Sequence, residues 1–194
     1  MAPSRFPKRP TAKAFFSRPF VGFALLSISL GLAACASDEA PPPPCPEVLI
    51  AADGAKLTRF KPGPGTDIID VLHEEELTGF AQGCVYDIDK IGAGTLTVLV
   101  APTIMSSRGP ANQSNDADFE YIIAITDLQK TILKKYSYPL VLPYQKDVPR
   151  VIWQKPEPHA YVLPLSAGQT GENFLVYISL KLTRSELEYQ RKNR

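Results

Sequence analysis

The chain has 194 residues, of which 21 are Lys or Arg and 20 are Asp or Glu, so its formal net charge is +1. Five of the basic residues and none of the acidic ones lie in the first 18 positions, which leaves 16 basic against 20 acidic residues and a net charge of −4. A mildly acidic body without a basic stripe argues against nucleic acid as a partner, because phosphate binding needs a basic surface.

The first 34 residues have the pattern of a secretory signal peptide. Basic residues up to Arg18 are followed by the apolar run 20–34, which ends in Leu-Ala-Ala directly before Cys35. This run is shorter than the roughly 20 apolar residues that a spanning helix needs. LAAC resembles the lipobox of bacterial lipoproteins, whereas the alternative is an ordinary signal peptide followed by a chance cysteine. The sequence favours cleavage before Cys35 and lipid attachment to that cysteine.

Fatty acyl chains such as palmitate on Cys35 would hold the mature protein on a membrane, because two or more chains anchor stably. Ala36 follows the cysteine. By analogy with enteric sorting rules, this residue favours the periplasmic face of the outer membrane over the inner membrane. Four consecutive prolines before residue 45 predict a semi-rigid extended tether. The expected organisation is a signal peptide at 1–34, a lipidated cysteine and tether at 35–44, and one domain at 45–194.

Two cysteines remain once Cys35 is assigned to lipid. An even remainder in an exported protein predicts a disulfide, here between Cys45 and Cys84. Closing a loop of about 40 residues would stabilise the fold by about 4 kcal/mol on a chain-entropy estimate. Two free buried thiols are the alternative. A metal site is disfavoured because neither cysteine has a second Cys or His at ligand spacing.

The domain alternates apolar and polar residues with a period of two, which is typical of strands with one face in a core. The clearest segments are 95–102, 118–126 and 172–182, and further strands are predicted near 47–52, 84–89, 131–138, 148–154 and 159–165. About eight or nine short strands with an early disulfide predict an all-β fold. We expect an antiparallel β-sandwich, immunoglobulin-like or fibronectin-like, with a short C-terminal helix.

The helical tail and one ambiguous segment complete the predicted elements. Thr183 and Glu186 have capping-box spacing, which predicts a helix at the C-terminal end. Residues 68–80 fit a helix about as well as a strand, and we predict a strand because the surrounding elements are strands. Residues 127–130 predict a hairpin connection, and 166–172 a looser turn between the last two strands.

Several segments carry a family resemblance that spans nearly the whole mature chain. They are LAAC, CPEVLI at 45–50, LTRFKPGPGTD at 57–67, GCVYD at 83–87 and LPLSAGQTGENFLVYISLKLTRSELEY at 163–189. In these segments the chain resembles a family of small uncharacterised lipoproteins of alphaproteobacteria. The resemblance implies export and a β-rich domain. It implies no activity and no catalytic residue.

The sequence contains no convergent catalytic motif. The two histidines, His73 and His159, lie outside any Gly-x-Ser-x-Gly elbow, so we interpret both as exposed or packed structural residues. The run His-Glu-Glu-Glu at 73–76 lacks metal-site spacing and is interpreted as a solvated face. Asp87 and Asp89 raise the alternative of a small envelope hydrolase that acts on carbohydrate through paired carboxylates. We predict no catalytic residue, cofactor or metal site.

Loops at the ends of a sandwich often carry binding residues. The loop at 61–67 is rich in proline and glycine, and prolines lower the entropy lost when a partner docks. Its candidate contact residues are Lys61, Pro62, Gly63, Pro64, Gly65 and Asp67. The polar segment 106–118 predicts a long, mobile loop. We therefore expect a non-enzymatic binding or structural module whose partner is another envelope protein or polymer.

Overall fold

The computed structural model describes residues 41–193, so Cys35 and the expected signal peptide lie outside the described residues. The strands are β1 (Glu47–Ile50), β2 (Lys56–Phe60), β3 (Val71–Ile88), β4 (Gly94–Arg108), β5 (Asp116–Asp127), β6 (Ile132–Pro143), β7 (Arg150–Gln154), β8 (His159–Leu165) and β9 (Phe174–Leu180). The helix is α1 (Arg184–Lys192), and single 3-10 turns lie at Ala52–Gly54, Ile68–Asp70 and Gly171–Asn173.

The strands form two sheets around one apolar core. One sheet has the order β1-β9-β5-β6, and the other has the order β2-β3-β4, with β7 and β8 pairing along different stretches of β4. The described pairs are antiparallel except for β1 with β9, which is parallel. The expected sandwich with a short C-terminal helix is confirmed. So is the helix cap, since the Thr183 hydroxyl accepts from the Glu186 backbone N–H.

The alternation read from the sequence matches the two faces of the sandwich. Three strands, β4, β5 and β9, contribute most of the buried apolar side chains, because every second residue over most of their length points into the core. These inward residues are Leu96, Val98, Val100, Phe119, Tyr121, Ile123, Ile125, Phe174, Val176, Ile178 and Leu180. The three clearest segments of the sequence are therefore strands that face the core.

Strand β3 is longer than the sequence indicates. The predicted strand at 68–80 begins only at Val71, after the 3-10 turn, and it continues without a break through the second predicted strand at 84–89. The register of β3 against β4 shifts between Leu77 and Gly79, which marks a β-bulge. The sequence pattern is irregular near this point, and the prediction ended the strand there. Strand β2 was not predicted from the sequence, because its five residues are too few to show a clear period of two.

The segment 106–118 is not a long loop. Its ends belong to β4 and β5, and the turn between them is closed by Asn112, which is buried. The Asn112 side-chain Nδ2 donates to the Asp116 carbonyl at 2.7 Å, and its Oδ1 accepts from the Asn115 N–H at 2.9 Å. These two hydrogen bonds make the connection compact, which the polar composition alone does not indicate.

The chain enters the sandwich beside a disulfide. Cys45 and Cys84 are bonded with an S–S distance of 2.01 Å, as the cysteine count predicts. The Tyr86 hydroxyl donates to the Pro44 carbonyl at 2.6 Å and accepts from the Gly171 N–H at 2.6 Å. We call this end of the sandwich the tether end. It comprises residues 44–46 and the loops at 89–93, 127–131 and 166–173, which lie close to one another.

Candidate functional site

The loop at 61–67 lies at the end of the domain opposite the tether end. It follows β2 and leads through a 3-10 turn into β3, which then runs to Cys84 at the disulfide. At about 3.3 Å per residue, the strand places Val71 up to about 40 Å from Cys84. The Lys61–Asp67 loop is therefore far from the point where the chain enters the domain.

One buried carboxylate organises this loop. The Lys61 ammonium lies 2.7 Å from Asp70 Oδ1, and the Asp67 backbone N–H donates to Asp70 Oδ2 at 3.3 Å. The Lys61 N–H also donates to the Asp70 carbonyl at 2.9 Å. The hydrogen bond from Lys61 lowers the pKa of the Asp70 carboxyl below its usual value. Lys61 and Asp67 do not pair with each other; each is held by Asp70, a residue that sequence reasoning did not single out.

Two glycines of the loop are required by its geometry. A Cβ on Gly65 would lie 2.2 Å from Asp70 Oδ2, so only glycine lets the loop close over this carboxylate. Gly63 has a φ of 136°, a conformation that other residues rarely adopt. The loop is thus a fixed structure rather than a flexible connection.

The N-terminal half of α1 lines a groove with the same loop. The Arg59 guanidinium pairs with Glu186 at 3.0 Å, and the Phe60 and Tyr189 rings meet edge to face at 4.9 Å between centroids. The groove has a volume of about 240 Å³. Its lining combines the two aromatic rings and the hydroxyls of Thr66, Thr183 and Ser185 with the charged side chains of Arg59, Lys61 and Glu186.

Two isoleucines extend the surface beyond the loop. Ile68 is 79% exposed and Ile69 is 67% exposed, and both lie on the 3-10 turn that follows Asp67. The packing of the domain therefore leaves two adjacent apolar side chains uncovered on a braced turn. Sequence reasoning placed both in a strand, because the apolar pair reads as the start of the following buried segment.

The acidic run at 73–76 is only partly a solvated face. His73 and Glu75 point into the domain and are buried, because alternate residues of β3 share its inner face. His73 Nδ1 lies 2.8 Å from Glu75 Oε1, and Ser106 Oγ donates to the same oxygen at 2.9 Å. The Tyr144 hydroxyl lies 2.6 Å from Ser106 Oγ, and burial raises the pKa of Tyr144 to about 12. The sequence left open whether His73 is an exposed or a packed structural residue, and the structure shows that it is packed.

His159 is packed in an aromatic cluster between the two sheets. The Tyr121 hydroxyl lies 2.7 Å from His159 Nε2, and the Tyr138 ring stacks on the imidazole with centroids 3.8 Å apart. The hydroxyls of Tyr138 and Tyr161 lie 2.8 Å apart. Burial lowers the pKa of His159. The cluster joins β5 and β6 to β8 and fills the space between them, so it offers packing rather than an open site.

The two carboxylates of the hydrolase alternative lie at the tether end. Asp87 is exposed near the end of β3, and Asp89 Oδ1 accepts from the backbone N–H groups of Ile91 and Ala93 at 3.0 Å each. Asp89 thus shapes the β3–β4 turn. Within residues 41–193, no three His, Cys, Asp or Glu side chains are grouped so that they could hold a metal ion.

No family model matches the chain, and no curated protein matches it either. Among solved structures, the variable (V) domain of the Streptococcus agalactiae AgI/II polypeptide BspA matches with 12% sequence identity. The match covers 70% of this chain and 78% of that domain, with a TM-score of 0.19, which carries no inference about this protein. In the part of the chain that the structure describes, no helix has the length and hydropathy to cross a membrane.

Proposed function

We propose that this protein is a membrane-anchored lipoprotein of the cell envelope that acts as a non-enzymatic binding module. Its anchor is lipid on Cys35, and its contact surface is the 61–67 loop together with Ile68 and Ile69. The proposed location is the periplasmic face of the outer membrane. The proposed partner is another envelope protein or polymer.

Two features support export and anchoring. The leader combines a basic start, a short apolar run and Leu-Ala-Ala before Cys35. The Cys45–Cys84 disulfide fits an oxidising compartment, because such bonds rarely persist in the cytosol. A chain that is exported and cut at Cys35 would keep the disulfide directly behind its tether.

The observation that carries the binding proposal is the exposure of Ile68 and Ile69 on a rigid turn. Asp70 fixes the turn through Lys61 and Asp67, so a partner meets a surface that is already ordered and loses little conformational entropy on docking. The lysine and the carboxylates around the isoleucines supply a polar rim to an apolar centre. The distance from the tether end leaves this surface free to reach a partner away from the bilayer.

The anchor is tested by replacing Cys35 with serine. We expect Cys35→Ser to yield uncleaved precursor without acyl chains, because both processing steps depend on the thiol. Mass spectrometry of the N-terminus and of the attached acyl mass measures both outcomes. Wild-type protein that begins at another residue and carries no acyl mass would contradict the proposal.

The contact surface is tested with the double variant Ile68→Ser/Ile69→Ser. Because both side chains are exposed, stability should change by no more than about 0.5 kcal/mol, while crosslinking to the envelope partner should fall by tenfold or more. The measurement is in-cell crosslinking at matched abundance. Ile152→Ser is the control, since Ile152 is 70% exposed on β7 and lies outside the proposed surface. Equal loss of crosslinking in the control, or none in the double variant, would contradict the assignment.

A further inference from the structure

Two hairpin tips at the tether end present apolar side chains to solvent. Ile91 lies on the β3–β4 turn and is 71% exposed, and Leu128 lies on the β5–β6 turn and is 52% exposed. Each turn is braced by a carboxylate. Asp89 Oδ1 accepts from the Ile91 N–H, and Asp127 Oδ1 accepts from the Thr131 N–H at 2.8 Å. Short, hydrogen-bonded turns therefore hold both apolar side chains away from the core.

A lysine lies next to each apolar tip. Lys90 precedes Ile91, and Lys130 lies two positions after Leu128. Neither lysine has an ion-pair partner among the residues that the structure describes, so both ammonium groups are available to an external anion. The acidic residues at this end are Glu47, Asp87, Asp89, Asp127 and Glu172. These five carboxylates outnumber the two lysines, so the net charge of this end is −3. Apolar insertion therefore supplies the attraction, and the two lysines reduce the repulsion from anionic phosphates.

The proposed anchor determines what faces this end. Nine residues, 36–44, separate Cys35 from Cys45, and they span at most about 30 Å when extended. Pro44 is fixed beside Tyr86 at the tether end, so the tether leaves the domain on the side of the two hairpin tips. Leu128 borders the same depression as Pro44 and Cys45. With lipid on Cys35, the tether keeps residue 44 and the tips beside it within about 30 Å of the bilayer, so the domain can approach the bilayer by this end.

We infer that the tether end docks on the surface of a lipid bilayer. Ile91 and Leu128 enter the headgroup region, and Lys90 and Lys130 lie beside anionic lipid phosphates. Apolar side chains bind such interfaces through their buried apolar area, and a lysine beside them can contact a lipid phosphate. Docking would add to the lipid anchor and orient the domain, with the 61–67 loop facing away from the membrane. This inference rests on the proposed anchor at Cys35.

The experiment uses the full mature lipoprotein in vesicles of phosphatidylcholine and phosphatidylglycerol with brominated acyl chains. Leu128→Trp and Ile91→Trp place a fluorophore at each tip, and Ile69→Trp is the matched control at the opposite end. The wild-type protein, with Trp153 as its single tryptophan, gives the background. We expect bromine quenching and a blue shift at both tips and neither effect in the Ile69→Trp protein. Lys90→Gln/Lys130→Gln should weaken tip quenching in these vesicles more than in pure phosphatidylcholine.

Flotation of the wild-type protein with the vesicles separates the two proposals. Protein that floats without quenching at either tip overturns the docking and leaves the anchor standing. Equal quenching at position 69 overturns the orientation, and with it the inference. Protein that does not float overturns the anchor. Because docking is inferred only for the anchored protein, it is overturned together with the anchor in that case.

Discussion

Replacing Glu75 with alanine should lower the free energy of unfolding by about 3–5 kcal/mol. The Glu75 side chain is fully buried and is the shared partner of His73 Nδ1 and Ser106 Oγ. Its removal takes away the carboxylate partner of buried His73 Nδ1 and one of the two partners of Ser106 Oγ, which keeps only Tyr144, and it also opens a cavity. Chemical denaturation of the wild-type and variant proteins measures the difference in unfolding free energy. The two unfolding curves are compared with the same m-value, the slope of free energy against denaturant concentration.

Glu74→Ala is the matched control for this prediction. Glu74 is the preceding residue of β3 and points to the opposite, exposed face, where it accepts one hydrogen bond from the Thr58 hydroxyl at 3.2 Å. Glu74→Ala should therefore lower the free energy of unfolding by at most about 1 kcal/mol. If the two variants are destabilised equally, the buried network does not stabilise the domain as its geometry indicates.

Reduction of the Cys45–Cys84 disulfide should lower stability by about 2–5 kcal/mol. The bond joins residues 39 positions apart, so reduction restores the conformational freedom of a long loop to the unfolded chain. Denaturation of oxidised and reduced protein measures the effect. The double variant Cys45→Ser/Cys84→Ser should match the reduced protein.

Thiol alkylation provides the complementary test. Unreduced protein should take up no label at Cys45 or Cys84, whereas reduced and unfolded protein should take up label at both. Labelling of both cysteines without reductant would show that the bond is absent. Equal stability of oxidised and reduced protein would show that the closed loop does not constrain the unfolded chain.

The sandwich was predictable where burial alternates strictly along the chain. In β5, every second residue from Phe119 to Ile125 is apolar and buried, and the residues between them include Glu120 and Ala124, so the period of two is visible in the sequence. The disulfide was predictable from the even number of cysteines left after Cys35. In contrast, β2 is short and buries the adjacent residues Leu57 and Thr58, which conceals its period.

The candidate site was predictable only in part. The composition of 61–67 indicated a rigid loop, but it did not indicate that Asp70 holds the loop or that Ile68 and Ile69 remain exposed. Those facts depend on the 3-10 turn and on the close approach of Gly65, which no local pattern encodes. The buried network was hidden for a similar reason. Its partners Ser106 and Tyr144 lie far from Glu75 in the sequence.

The disulfide also determines how a pulling force would pass from the membrane into the domain. Tension on residue 44 reaches Cys45 and crosses the bond to Cys84, so it bypasses β1, a four-residue strand at the edge of its sheet. It enters β3, whose ladder with β4 extends from His73 to Ile88. Force along β3 must shear many hydrogen bonds together, whereas β1 pairs with β9 over only four residues. The cross-link therefore makes the attachment mechanically stronger than the strand that follows it.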